Sequence, residues 1–378
     1  MRIYYLCPDW KHETYGGLKK IYHHVQALNE LGFSAFVVHK EKGFKLEWFS
    51  HQAPVDYQEE LQISDDDIFV IPEIFAFEER AFPKNRFVIF NQAPYLTFQP
   101  LGLPSGKFSA ARDIETYPYF HPQCLGTLVV SKNSCDYLET AFPGIKLHRI
   151  RLSIDYELFS YRSEKKKQIA YMPRKCPKDI VQVLSLLMAR EKLKGWRAVP
   201  IQNEDEATVA KILGESAIFL SFSLQEGFSL PPREAIACGC RLVGFHGPWG
   251  KEFLNLETAV EGGKLMQDFE SESLAMGVDH SQKVKATTIA NNYGSKDCVN
   301  LPPSTAVSRL KEPYAYQIMP WEIANFAKKV EEVALDYMER PDEYKENSFR
   351  GSEFIRNEYS NQNEREDLKK AWSSLLGN

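Results

Sequence analysis

The chain contains 378 residues, 43% of them hydrophobic and 26% charged, with a net charge of −5. Its length exceeds what one hydrophobic core usually fills and its composition is globular, so two domains are expected and a largely disordered chain is excluded. The acidic balance offers no general field for nucleic acid, and seven scattered cysteines, an odd number, exclude the dense disulfide framework of a small secreted domain.

Arg2 to Cys7 reads as a strand, about Gly17 to Leu31 as a helix and Ser34 to His39 as a second strand, a β-α-β opening. Further strands are expected at Ile68 to Ile71, Phe87 to Phe90 and Leu128 to Val130, then a helix from Ser134 to Ala141. Runs this apolar suit a parallel sheet covered on both faces. The charged stretch Glu164 to Lys167 separates them from a second series of the same style. That series predicts strands at Ile169 to Met172, Arg197 to Ile201, Ile218 to Phe222 and Arg241 to Phe245. Helices fall between them at Ile180 to Arg190, at Glu206 to Leu213 and from Pro232 onward. From Gly262 to about Pro313 the sequence is polar and without periodicity, which predicts an inserted mobile loop region. Helical patterning returns at Trp321 to Met338 and at Glu353 to Leu376. No run approaches the ~20 apolar residues of a membrane span and no signal-peptide pattern is present. A cytoplasmic protein is expected, with any membrane contact peripheral and at the inner face.

The chemistry concentrates in SFSLQEGFSLPPREAIACGC, residues 221 to 240. This segment joins an apolar strand to a helix, and open α/β sheets hold ligands outside the carboxyl ends of their strands. Pro231 and Pro232 suit a helix entrance, whose first amides can face an anion such as phosphate. Glu226 in the loop and Glu234 in the first turn bring two carboxylates toward one ligand. Ionised carboxylates accept charge-assisted hydrogen bonds, which suits sugar and ribose hydroxyls, and Gly227 lets the backbone come close. The plainer alternative makes Glu226 a solvated loop residue and Glu234 a favourable charge at a helix start.

The run E-G-F-S-L-P-P-R-E-A resembles the Glu-x7-Glu signature of retaining glycosyltransferases with the GT-B fold, above all family 4, with Ser229 in place of a common glycine. The resemblance implies two Rossmann-like parallel-sheet domains facing a cleft. It assigns Glu226 to the transferred sugar, Glu234 to the nucleotide ribose, and the backbone of Gly227, Phe228, Ser229 and Leu230 to the sugar or diphosphate. Two other segments fall where it requires them. Tyr15-Gly16-Gly17 follows the first strand and precedes a helix, so the amides of Gly16 and Gly17 can approach a phosphate. AYMPRKCPKD offers Arg174, Lys175 and Lys178 at the end of the first strand of the second series. Arg174 is similar to the arginine that, with a lysine, neutralises the diphosphate in the family. The usual wider gap to that lysine is absent here, and either Lys175 or Lys178 fills its place. Ile154, Asp155 and Phe159 resemble the I-D-x-x-x-F turn at the family's interdomain linker.

One departure concerns the acceptor side. Many relatives carry a histidine after the middle strand of the first domain, where this chain has Asn91 and Gln92 in FVIFNQAPYLTF. Both can hydrogen-bond a sugar or acceptor, and neither is an effective general base near neutral pH. His12, in the loop before Gly16, is a further acceptor-side candidate.

The expected organisation is an N-terminal acceptor-side domain at 1–155 and a nucleotide-sugar-binding domain at 156–352 with the insertion at 262–313. A C-terminal helix at about 353–378 is expected to pack back on the first domain. The expected activity is metal-independent transfer, with retention, from a nucleotide-diphosphate sugar to a glycan, lipid-linked or other hydroxyl acceptor in surface polysaccharide synthesis. No cofactor is expected beyond that donor substrate. The alternative, motivated by Asn91 and Gln92, is the same scaffold acting as a glycan- or protein-binding module. Asp65 and Asp67 precede their strand and read as a solvated turn, and Cys238-x-Cys240 lacks a second pair at zinc-site spacing.

Overall fold

A computed structural model describes residues 1–11, 14–77, 84–99, 117–253 and 314–377 of the chain; His12 and the 262–313 stretch lie outside them. The first sheet contains β1 (Ile3–Leu6), β2 (Ala35–His39), β3 (Val55–Tyr57), β4 (Ile68–Pro72), β5 (Phe87–Asn91), β6 (Cys124–Val129) and β7 (Leu147–Arg149). Its order is β3-β2-β1-β4-β5-β6-β7, with every pairing parallel. Parallel pairs need crossovers that cover both faces, which is why the strands are apolar at successive positions rather than alternating. Ile3, Tyr5, Ile68, Val70, Val88 and Phe90 join one core with α1 (Gly16–Glu30), while Tyr4, Phe69, Ile71, Phe87 and Ile89 join another with α2 (Lys132–Ala141).

The second sheet is built from β8 (Lys166–Tyr171), β9 (Arg197–Pro200), β10 (Ser216–Ser223), β11 (Arg241–His246) and β12 (Ala315–Gln317) in the order β12-β11-β10-β8-β9, again all parallel. Around it lie α3 (Pro177–Arg190), α4 (Glu206–Glu215), α5 (Leu230–Ala237) and α6 (Ile323–Glu339), followed by α7 (Pro341–Glu358) and α8 (Asn361–Leu376). In each sheet the strand order reverses once, between β1 and β4 in the first and between β8 and β10 in the second.

The C-terminal stretch is two helices rather than one. The chain breaks at Ser360, whose hydroxyl caps α8 by accepting the Asn363 amide at 3.2 Å. α8 then lies against α1, β6 and β7, with Trp372 fully buried. Arg151 grips Asp367 of α8 bidentately, Nε to Oδ2 at 2.7 Å and Nη2 to Oδ1 at 2.9 Å.

Candidate active site

Ligands of open α/β sheets sit outside the carboxyl ends of the strands where the order reverses. Here the segments following β1, β4, β8 and β10 line one cleft of about 1230 Å³. The residues that close this cleft touch each other across the two sheets. A Cβ on Gly16 would stand 2.5 Å from the Leu230 side chain, and one on Gly227 would overlap the Gln92 carbonyl oxygen. Close approach therefore requires glycine at Gly227, which meets backbone, whereas at Gly16 the neighbour is the end of a leucine side chain. The Arg174 guanidinium lies 4.7 Å from the centre of the Tyr15 ring. Ion pairs flank the contact: Lys19 with Glu206, and Arg149 with Glu252 at 2.7 Å.

On the second-sheet wall, α5 begins with Leu230, two residues before the position expected from Pro232. Pro231 and Pro232 carry no N–H, so only Leu230 and Arg233 contribute amides to the first turn. Ser229, the N-cap, stands at φ 58 and ψ 94 without capping the helix through its side chain. That conformation favours glycine, and the serine there is held by a fully buried neighbour. Arg233 donates to the carbonyls of Phe228 and Ser229, the latter at 3.1 Å, and its guanidinium stacks 3.7 Å from the Phe228 ring centre. An arginine that looks like a surface charge in P-P-R-E thus clamps the loop from inside.

Glu226 forms an ion pair with Lys175. Burial, and after it the charge of Arg174, push Lys175 down to about 8. Arg174 and Lys175 both line the cleft. Lys178 is exposed and does not: it lies one residue into α3 from Pro177. The structure thus brings Lys175 to the site and leaves Lys178 out. Glu234 is 8% exposed and lines the cleft without an ion-pair partner. Burial pushes it up to about 7, against the opposing influence of Lys19.

On the first-sheet wall, the helix start at Gly16 and Gly17 lines the cleft, and Tyr15 makes no side-chain cap there. Asn91 does not face the cleft. It is fully buried under it, its amide donating to Thr97 Oγ1 at 2.8 Å and Tyr119 Oη at 2.9 Å, which corrects the expectation that it reaches an acceptor. Gln92 lines the cleft as a brace, with Nε2 donating to the Gly17 carbonyl at 3.1 Å and its backbone amide donating to Glu73 Oε2 at 3.1 Å. Glu73, 4% exposed and immediately after β4, was not singled out by the sequence. The available signal was its place: an acid directly following an entirely apolar strand beside the reversal point.

The remaining signals resolve as structure. Asp67 accepts the Arg2 and Ser64 amides at 2.7 and 2.9 Å, bracing a turn. Cys238 and Cys240 are buried free thiols, and among the described residues no cluster of metal-ligating side chains occurs. Glu252 holds Arg149 and the Lys132 amide across the two sheets. Among the described residues no helix is long and apolar enough to cross a membrane.

Comparison with known proteins places this architecture. Over its full length the chain superimposes on sucrose-phosphate synthase from Thermosynechococcus elongatus with a TM-score of 0.61, at 10% identity and covering 99% of that protein. The chain carries the GT-B glycosyltransferase fold. It also matches HepE of Anabaena, solved with UDP and glucose, with a TM-score of 0.57 at 11% identity, covering 99% of this chain and 100% of HepE. In sequence it is 28% identical over 240 residues to an alpha-1,6-glucosyltransferase of Actinobacillus pleuropneumoniae serotype 7, spanning 59% of this chain and 67% of that one. No protein-family model matches the chain. The two facing parallel sheets and the likeness to GT-B glycosyltransferases expected from the sequence are borne out.

Proposed function

We propose that this glycosyltransferase moves a hexosyl group, with retention, from a nucleoside-diphosphate sugar to a hydroxyl of a glycan or lipid-linked acceptor in polysaccharide or glycoconjugate synthesis. The observation that carries the reading is the Glu226–Lys175 pair beside Arg174, opposite the start of α1 and next to the start of α5. A diphosphate entering there meets two cationic side chains and two helix entrances, which is electrostatic preorganisation for a leaving group. As the diphosphate takes Lys175, Glu226 is released to accept hydrogen bonds from the sugar hydroxyls. Glu234 accepts the ribose hydroxyls in the same cleft. At about 1230 Å³ the cleft exceeds the roughly 300–1,000 Å³ of a small-molecule site, which leaves room for donor and acceptor together.

The direct sheet-to-sheet contacts suit a closed state in which water is kept from the donor. Retention and independence of a metal rest on the likeness of the Glu226 to Glu234 segment to its family. The name of the Actinobacillus relative and the ligands bound to HepE make UDP-glucose the first donor to try. Calorimetry with UDP, GDP and ADP, followed by transfer assays with the sugar of the tightest nucleotide, tests the proposal. Binding of one nucleoside diphosphate and transfer without inversion are expected, and an inverted product would refute the retaining mechanism.

A further inference from the structure

Six carboxylates among the described residues are buried: Asp67, Glu73, Glu234, Glu331, Glu364 and Asp367. Four are neutralised by a cation, Arg2, Arg190, Lys20 and Arg151 respectively for Asp67, Glu331, Glu364 and Asp367. The two without an ion pair, Glu73 and Glu234, both line the cleft, one on each wall. Burying an unpaired carboxylate is costly, and a fold that compensates it everywhere else leaves it uncompensated only here. Glu234 has its explanation in the donor. Glu73 lies on the first-sheet wall, outside the Glu226 to Glu234 segment.

Its position is specific. Glu73 follows β4 at the reversal point of the first sheet, as Arg174 and Glu226 follow β8 and β10 at the reversal point of the second. Backbone amides of Gln92 and Ala93 hold it, that of Gln92 at 3.1 Å to Oε2. Gln92 is also the residue whose carbonyl meets Gly227 when the walls touch, so the carboxylate sits directly behind the contact that closes the cleft. The other described charged side chains on this wall, Lys19 and Lys20, are engaged with Glu206 and with Glu364 and Ser153. Across the cleft Glu226 is engaged with Lys175.

We infer that Glu73 binds the acceptor, accepting the hydrogen bond of the attacking hydroxyl and taking its proton during transfer. This rests on the glycosyltransferase reading proposed above. In the step, the acceptor oxygen forms its bond to the anomeric carbon on the face from which the diphosphate departs, as the bond from that carbon to the diphosphate oxygen breaks, so that configuration is retained. The electron pair leaves on the diphosphate, and the hydroxyl proton passes to the Glu73 carboxylate, which later returns it to solvent. Burial already pushes Glu73 up to about 7, suited to a base at neutral pH. Tyr119 is a titratable neighbour that feels its charge, while Tyr95 and the paired Lys19 and Lys20 line the same wall.

The test uses E73Q, which keeps an oxygen for the Gln92 amide, and E73A, in the full chain. Affinity for the tightest of UDP, GDP and ADP is expected to stay within about twofold of the parent, consistent with a residue off the donor wall. Release of that nucleotide from its glucose conjugate, with water or a panel of methyl glycosides as acceptor, is expected to fall roughly 100-fold in E73Q and to lose its pH limb near 7. Formate is expected to restore part of the rate to E73A. Unchanged rate and pH profile in E73Q would overturn the inference while leaving the donor reading intact. Failure of the parent protein to bind any of the three nucleotides would remove both.

Discussion

The two walls of the cleft use charge in opposite ways. On the second-sheet wall, charge is dense and, Glu234 apart, held by partners: Lys175 with Glu226, Arg174 over an aromatic ring, Arg233 bonded to the loop carbonyls. On the first-sheet wall, a single unpaired carboxylate stands among aromatic and apolar side chains such as Tyr95, Leu96 and Phe98. A diphosphate needs concentrated countercharge at a fixed place, whereas a hydroxyl acceptor needs one well-placed hydrogen-bonding group and a shaped surface. The proposed division between donor and acceptor follows how each wall balances its charges.

The largest effect should come from the paired wall. Glu226→Ala is expected to lower kcat by roughly 10²–10³-fold, since it removes the carboxylate proposed to meet the transferred sugar and leaves Lys175 without its ion-pair partner; steady-state kinetics with the identified donor checks this. Next is the contact between the walls. Gly227→Ala sets a methyl group against the Gln92 carbonyl and should hold the cleft open. Transfer should then fall by roughly 10²-fold, as for misplacement of about an ångström, while nucleotide affinity measured by calorimetry changes far less. Equal losses in both would mean that the donor, and not closure, depends on Gly227.

Smaller effects follow from Glu234. In the free protein it titrates at about 7 against an ordinary value of 4.5. Ribose hydroxyls donate to its ionised form, so nucleotide affinity should rise with pH up to about 7 and then level off. Glu234→Gln should weaken binding by about tenfold or more and flatten that pH dependence. The same shift has a consequence for stability with a definite sign. Between pH 4.5 and 7 the folded protein keeps a proton that the unfolded chain has lost, so stability falls as pH rises through this window, by about 3 kcal/mol for this one group. Denaturation of Glu234→Gln at pH 5 and pH 8 should show that fall missing. The smallest effect is at Ser229. Ser229→Gly relieves the positive φ and a buried hydroxyl that has no hydrogen-bond partner, at the expense of a more flexible unfolded chain. A net gain of about 1 kcal/mol in urea unfolding is expected.

Legibility in the sequence divides along the same line. The second-sheet wall could be found because glycines, prolines and paired acids mark a helix entrance in one contiguous segment. Its inner clamp, Arg233, could not, since nothing local distinguishes a buried arginine from a solvated one. The first-sheet wall is assembled from residues after β1, β4 and β5 that share no spacing, and Glu73 acquires meaning only through the strand order. In the fold, the long apolar strands were readable, while β3, β7 and β12 were not: each is a three-residue edge strand, too short to show a period. Helix α7 was missed for another reason. Between buried Tyr344 and Ile355 it buries Asn347, Ser348, Gly351 and Ser352, with Ser352 Oγ donating to the Ala237 carbonyl at 2.6 Å and Gly351 set against Tyr314. Close packing of small residues leaves no hydrophobic periodicity to detect.

The central claim, that the wall built from Arg174, Lys175, Glu226 and Glu234 grips a nucleoside diphosphate, is tested most directly by calorimetric titration of UDP, GDP and ADP into the intact chain and into Glu234→Gln. The account predicts that at least one of the three binds, more tightly at pH 8 than at pH 6, and that the variant weakens it and removes the pH dependence. Absence of binding by all three, or equal affinity of parent and variant at both pH values, would contradict it.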